Sequence, residues 1–296
     1  MADTHTAGTL RKSSTILFHA NVDPCDGRID GAERVAMSAP VVTVLGLGEA
    51  GGRLAADLVT VGVEVHGYDP LTTSAPEGVA QASDAAAAVS RSTVVLALTT
   101  ASTALAAAES ALPGLHTGAI YADLNTASPA LKHDIAALVA GSGARFADVA
   151  LLGPVPAHGL RTPTLASGPG ARAFAEVFGP LGMPVDVVSD RPGDAAILKL
   201  LRSVFMKGLA ASALESLRVA DAAGQTRWLE GEIAAVIGEP FLERLVEGSR
   251  RHAARRVDEM EAARELLLEL GVEPRMAAAS ASVLAELAAS QLMDGR

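Results

Sequence analysis

The sequence predicts an α/β protein in which a doubly wound parallel sheet is followed by an all-helical half. Three observations carry this. From Val41 to about Asp190 the chain alternates short β-branched runs with helical segments, the pattern of strands joined by crossover helices. After Pro192 the strand signal stops and every remaining segment has a helical period. At the first strand-to-helix junction stands "VVTVLGLGEAGG", four β-formers ahead of Gly46, Gly48 and Gly51.

Residues 1–39 are polar, rich in Asp, Thr and Gly, and follow neither period, which predicts a flexible extension. Met37, just ahead of "SAPVVTVLG", reads as a natural beginning for the folded part, so the extension is expected to be an artefact of the assigned start. Residues 40–191 then form the sheet domain. "VVTVLG" is a strand, "GGRLAADLVTVG" a helix, "VEVHGYD" a strand, "SDAAAAVSR" a short Ala-rich helix and "STVVLAL" a strand. A helix from about Ala101, the strand "GAIYADL", the helix "SPALKHDIAALVAGSG" and the strand "ARFADVALL" follow. Strands at "PTLASG" and "PVDVVSD", with a helix between them, complete the sheet. Residues 192–296 are helical. "GDAAILKLLRSVFMKGLAASALESLRVADAAG" reads as one long helix, followed by "TRWLEGEIAAVIG", a helical stretch from Pro240 to about Leu270, and "RMAAASASVLAELAAS".

A chain of 296 residues accommodates two cores. It is 49% apolar but only 3% aromatic, so those cores must be built from Ala, Val and Leu, which suits helices packed closely on a sheet. A formal charge of −10 argues against a nucleic-acid partner, whose phosphates require clustered Lys and Arg. The one cysteine, Cys25, cannot form an internal disulfide and has no neighbours with metal-ligand spacing, so a reducing cytoplasm is expected and no metal site. "RKSSTILFHA" has too short and too polar a core for a secretory signal. The longest apolar run, "STVVLALTTASTALAAA", is broken by Ser and Thr, whereas a membrane span needs roughly 20 mainly apolar residues.

The glycine motif passes three context tests. It follows an apolar strand, it opens an amphipathic helix, and Asp69 ends the next strand 23 residues beyond Gly46, near the spacing of about twenty expected of a dinucleotide site. Gly46 permits a tight turn, Gly48 lets a pyrophosphate approach the backbone, and Gly51 lets helix and strand touch. The loop from Gly46 through Leu47, Gly48, Glu49 and Ala50 to Gly51 would therefore seat the phosphates at a helix N-terminus. Asp69 would accept hydrogen bonds from the adenine ribose and repel a 2′-phosphate. With Pro70 and Leu71 after it, and no Arg, NAD is favoured over NADP.

Hydride transfer to a carbonyl also needs a group that moves the oxygen's proton. Lys199 is the candidate, because it opens the long helix at the domain junction, where a cleft is expected. Lys199, Ser203 and Lys207 recur every four residues, which keeps them within about 80° of one another on the helix. A lysine partly desolvated beside a second cation loses proton affinity, which suits proton transfer near neutral pH.

With the loop, Asp69, "YADLNTASP" and the lysine helix in place, the chain resembles the 3-hydroxyacid dehydrogenase and 6-phosphogluconate dehydrogenase superfamily over about residues 41–290. "LKLLRSVFMKG" and "RRHAARRVDEM" make the helical half most similar to the DUF1932-type C-terminal domain linked with phosphogluconate dehydrogenases. The resemblance implies a Rossmann-type fold, a nicotinamide-side segment at Thr99 and Thr100, substrate contacts at Asn125 and Thr126 of "DLNT", and Lys199 as the catalytic lysine. The family's Ser-Gly-Gly carboxylate turn reads Leu152-Gly153-Pro154, so only Gly153 carries over. Ser203 replaces the family's Asn, and Arg202 replaces the His of 6-phosphogluconate dehydrogenases themselves, which argues against that particular activity.

The expected function is an NAD(P)-dependent oxidoreductase acting on a small hydroxy acid or its oxo counterpart, with Ser203 and Lys207 beside the substrate. A non-catalytic dinucleotide-binding sensor or scaffold is the other class, and an imine reductase-like enzyme a third, disfavoured by the lysine. His252, Arg255, Arg256 and Glu259 lie along a later helix, for which a salt-bridged exposed face is the first expectation, while the resemblance implies that such C-terminal helices contribute to the cleft, in some relatives from the partner subunit. The long apolar interdomain helix predicts a homodimer.

Overall fold

The strand order of the sheet puts a crevice at the end of its first strand. The computed structural model describes residues 39–72 and 74–294, so the expected extension lies outside the described residues apart from Ala39. The order along the chain is β1 (Val41–Leu45), α1 (Glu49–Thr60), β2 (Glu64–Tyr68), β3 (Ala80–Gln81), α2 (Ala85–Val89), β4 (Val94–Ala97), α3 (Ala104–Ala111) and β5 (Ile120–Asp123). Next come α4 (Pro129–Ala140), β6 (Arg145–Leu151), α5 (Val155–His158), β7 (Thr164–Ser167), α6 (Ala171–Phe178) and β8 (Val185–Val187). The sheet runs β3-β2-β1-β4-β5-β6-β7-β8. Its order reverses between β1 and β4, and in open α/β sheets such a switch point opens the crevice that binds ligands.

Alternation along the strands covers both faces. Val42 and Val44 of β1 join Leu54 and Leu58 of α1 and Phe174 and Phe178 of α6 in one core. On the other face Leu45, Val95 and Tyr121 pack against α2, α3 and α4 through Ala88, Ala108 and Ile135. The cores are Ala, Val and Leu-rich, as so few aromatic residues require.

Two expectations change. The sheet is parallel except at β6 and β7, which run antiparallel. The link between them holds only the four-residue α5 and a 3-10 turn, and the Leu152 amide donates to the Pro163 carbonyl at 2.8 Å, so the chain doubles back instead of crossing over. The two-residue β3 also escaped the pattern, being too short to show one.

The helical half consists of α7 (Asp194–Ala222), α8 (Thr226–Ile237), α9 (Glu239–Arg251), α10 (Ala253–Glu269) and α11 (Arg275–Asp294). Leu200, Ala213 and Leu214 of α7 pack with Leu242, Met260, Leu266 and Leu284 in a third core. The stretch read as continuous from Pro240 breaks at His252, whose φ of −129° and ψ of 31° lie outside the helical region. No helix among the described residues is long and apolar enough to cross a membrane.

Candidate active site

At the end of β1 the backbone itself defines the loop. Gly46 has φ 94°, and a Cβ there would fall 2.3 Å from the Leu98 carbonyl oxygen. A Cβ on Gly51 would lie 1.9 Å from the Gly46 carbonyl oxygen, so the helix can meet the loop only through glycine. A Cβ on Gly48 would meet nothing within 4 Å. Gly48 is also the N-cap of α1 and offers no side chain, which leaves the first-turn N–H groups without a side-chain cap. The loop from Leu47 to Ala50 therefore fits the pyrophosphate of a dinucleotide.

Asp69 lies beside that loop. Its Oδ2 accepts the Leu47 amide at 2.7 Å and its Oδ1 the Leu71 amide at 2.8 Å. Each carboxylate oxygen keeps lone pairs for a ribose hydroxyl. After β4, Thr99 closes on the turn, its Cγ2 3.3 Å from where a Gly46 Cβ would be. Its hydroxyl donates to the Thr100 carbonyl at 3.3 Å and stands 3.5 Å from Asn125 Oδ1. Thr100 and Thr103 cap a 3-10 turn reciprocally.

Asn125, at the end of β5, is buried and fixed: its amide and its Nδ2 both donate to Asp123 Oδ1, at 2.9 and 2.6 Å. Thr126 follows it, half-buried. Gly153 lies instead among His158, Thr162 and Pro163, and its amide donates to nothing among the described residues. Arg53 and Asp57 of α1 clasp this segment, Arg53 donating to the Pro156 carbonyl at 2.8 Å and Asp57 accepting the Leu160 amide at 3.0 Å.

Lys199 is half-buried one turn inside α7, with no hydrogen bond or ion pair among the described residues. Burial lowers its proton affinity, Glu259 opposes this, and the cations of Lys132, Lys207 and Arg255 lower it further, to a pKa of about 8. The rest of the polar stripe is occupied. Lys207 Nζ is 2.7 Å from Glu259 Oε1, and the Ser203 hydroxyl, itself 1% exposed, donates to the same oxygen. Burial would raise the Glu259 carboxyl, but Lys207 and Lys199 outweigh it and hold the pKa at about 2.

Of the two readings of this stretch, the exposed face is corrected for Glu259 and Arg256. Glu259 is buried against α7, and Arg256 is half-buried and donates to Ser249 Oγ at 2.5 Å. Arg255 does face out, while His252 Nε2 stands 3.9 Å from Glu49 Oε2 in the first turn of α1. Sequence reasoning also missed Lys132. It is fully buried on α4, with Nζ 3.2 Å from Asp123 Oδ2 and 3.1 Å from Asp148 Oδ1. The register of β5 and β6 sets Asp123 and Asp148 side by side, a pairing that the spacing along the chain does not show.

Fold and loop together define a dinucleotide-binding α/β protein with a helical C-terminal half. Residues 41–177 match the family described as the NAD binding domain of 6-phosphogluconate dehydrogenase, and residues 220–287 match the domain of unknown function DUF1932. The first match takes in most of the sheet and the second the helices after α7, so the chain is similar to one family in each half. It is 30% identical over 166 residues to an uncharacterised 28.5 kDa protein of Methanothermus fervidus, a match that takes in 55% of this chain and 64% of that protein. A conserved hypothetical protein from Sinorhizobium meliloti 1021 shares the fold at 28% identity, TM-score 0.65, over 84% of this chain and 88% of that one. The 3-hydroxyisobutyrate dehydrogenase of Mycobacterium tuberculosis, solved with L-serine, shares the fold at 19% identity, TM-score 0.70, over 85% and 94%.

Proposed function

We propose that this protein is an NAD(P)-dependent oxidoreductase acting on a small hydroxy acid or its oxo counterpart, with Lys199 as general acid and base. One observation carries the reading: Lys199 is an unpartnered amine in a region where the neighbouring charges of Lys132, Lys207 and Glu259 are paired, and its pKa is lowered to about 8. Such an amine can give or take a proton near neutral pH. The bound nicotinamide would accept or supply the hydride. In oxidation neutral Lys199 would take the hydroxyl proton, and in reduction its ammonium would protonate the carbonyl oxygen. Asn125, held by Asp123, would orient the substrate oxygen, and the free Gly153 amide would receive the carboxylate. Ser203 and Lys207 would act through Glu259, to which both are bound.

Asp69 favours NAD, its carboxylate being fixed at the loop where a 2′-phosphate would meet its charge. Asp69→Ser should cost NAD about 1–3 kcal/mol of binding and narrow its lead over NADP. The deciding experiment scans a panel of small hydroxy acids for the appearance of reduced nicotinamide, with Lys199→Ala beside the parent. Turnover that falls about 10²- to 10⁴-fold in the variant supports the reading. Dinucleotide binding without turnover on any panel member would leave a sensor or scaffold.

A further inference from the structure

Lys132 is a buried ammonium that this chemistry does not use. It is 0% exposed, as are Asp123 and Asp148 on either side of it, and besides the two ion pairs its Nζ donates to the Asp123 carbonyl at 2.9 Å. Burial would lower its proton affinity, but the two carboxylates outweigh burial and raise it. Asp123 Oδ2 and Asp148 Oδ1 have no hydrogen-bond partner among the described residues, so Lys132 is the charge they face.

One ammonium between two carboxylates leaves a net negative charge, and the remaining arms show what meets it. Asp148 Oδ2 accepts the Ala196 amide at 2.9 Å and the Ser167 hydroxyl at 3.1 Å, while Ser167 Oγ accepts the Ala195 amide at 3.0 Å. Asp148 thus caps the first turn of the 29-residue α7, where the helix carries its partial positive charge. Asp123 Oδ1 holds both nitrogens of Asn125. One carboxylate fixes Asn125, the other fixes the helix that presents Lys199 three residues beyond Ala196, and Lys132 joins the two.

We propose that Lys132 is a positioning residue, the joint that sets the spacing between Asn125 and Lys199 by tying the end of β5 to the first turn of α7. The proposal rests on the reading of Lys199 given above, yet its test needs no turnover. In the full chain, Lys132→Met is compared with the parent by NADH fluorescence titration, hydrogen exchange of peptides, and the pH midpoint of Lys199 acetylation followed by mass spectrometry. Exchange should rise about tenfold in residues 123–128 and 194–203 and stay within about twofold across α1, with NADH affinity kept. The Lys199 midpoint, about 8 in the parent, should move up, because one neighbouring cation is lost while Glu259, Lys207 and Arg255 still face it.

An unmoved midpoint, unchanged exchange at 194–203, or exchange raised equally throughout the chain would overturn the proposal. If Lys132→Met does not fold, Asp148→Asn decides. It should raise exchange about tenfold in residues 194–203, where the Ala196 amide loses its charged acceptor, and leave α1 within about twofold; unchanged exchange at 194–203 overturns the proposal. Parent protein that binds no NADH would sink the functional reading instead, while exchange and acetylation judge Lys132 separately.

Discussion

At Gly51 a Cβ would fall 1.9 Å from a backbone oxygen, whereas at Gly48, three residues earlier, it would point into open space. The two alanine variants should therefore separate folding from binding. Gly51→Ala should lose about 1–3 kcal/mol of stability or more by overpacking, seen in urea denaturation. Gly48→Ala should change stability by less than about 1 kcal/mol yet weaken NADH at least about tenfold in a fluorescence titration, because its methyl occupies the approach to the loop. In the role proposed for it, Lys199 would set the pH behaviour of the reaction. Oxidation should accelerate as pH rises through about 8, where the amine becomes neutral, and reduction should slow over the same range. Stability follows the opposite charges. Glu259, depressed from 4.5 to about 2, contributes stability above pH 4.5 that is lost as pH falls toward 2. Charged Lys199, depressed from 10.5 to about 8, costs stability below pH 8, and that cost is relieved between pH 8 and 10.5. Urea midpoints followed from pH 4.5 down to 2 and from pH 8 up to 10.5 would check the two signs. Of these residues the glycines of the turn were legible in the sequence, because spacing and neighbours define the turn locally, and Asp69 and Lys199 were named there as candidates. Glu259 was not, because four charged residues on one helix read as an exposed face until the helix that covers Glu259 is known.

That covering helix is α7, and the Lys207, Ser203 and Glu259 cluster is the polar seam between α7 and α10 in an otherwise apolar core of Leu200, Met260 and Leu266. Removing one member of a buried pair strands the other charge, so Glu259→Ala should cost about 3–5 kcal/mol. The double variant Lys207→Met with Glu259→Leu should recover much of that loss in the same denaturation measurement, since an apolar pair of similar size has no charge to strand. At this scale the pattern of strands and helices was readable almost throughout, being a matter of hydrophobic period. The failures have one cause. Two residues of β3 are too few for a period, the turn at His252 interrupts a helix without a Gly or Pro beside it, and the reversal of β7 depends on how the link from Leu152 to Pro163 closes.

Over the whole molecule, exposed apolar side chains gather on α7 and α8: Phe205 is 65% exposed, Val219 65%, Trp228 64% and Val236 83%. A second copy of the chain packed on these helices would cover them, and a dimer is the proposed assembly. Light scattering at micromolar concentration should give twice the chain mass of 30.1 kDa, and Trp228→Glu should shift it toward the monomer. The sequence by itself determined the alternating sheet, the helical second half and the glycine loop, because periodicity and backbone conformation are decided by residues near in the chain. Only the tertiary structure decided which charges are buried together. Asp123, Lys132 and Asp148 come from a strand, a helix and the next strand, and Glu259 lies 52 residues beyond Lys207. Electrostatic pairing depends on distance in space and on exclusion of water, and neither is encoded in spacing along the chain.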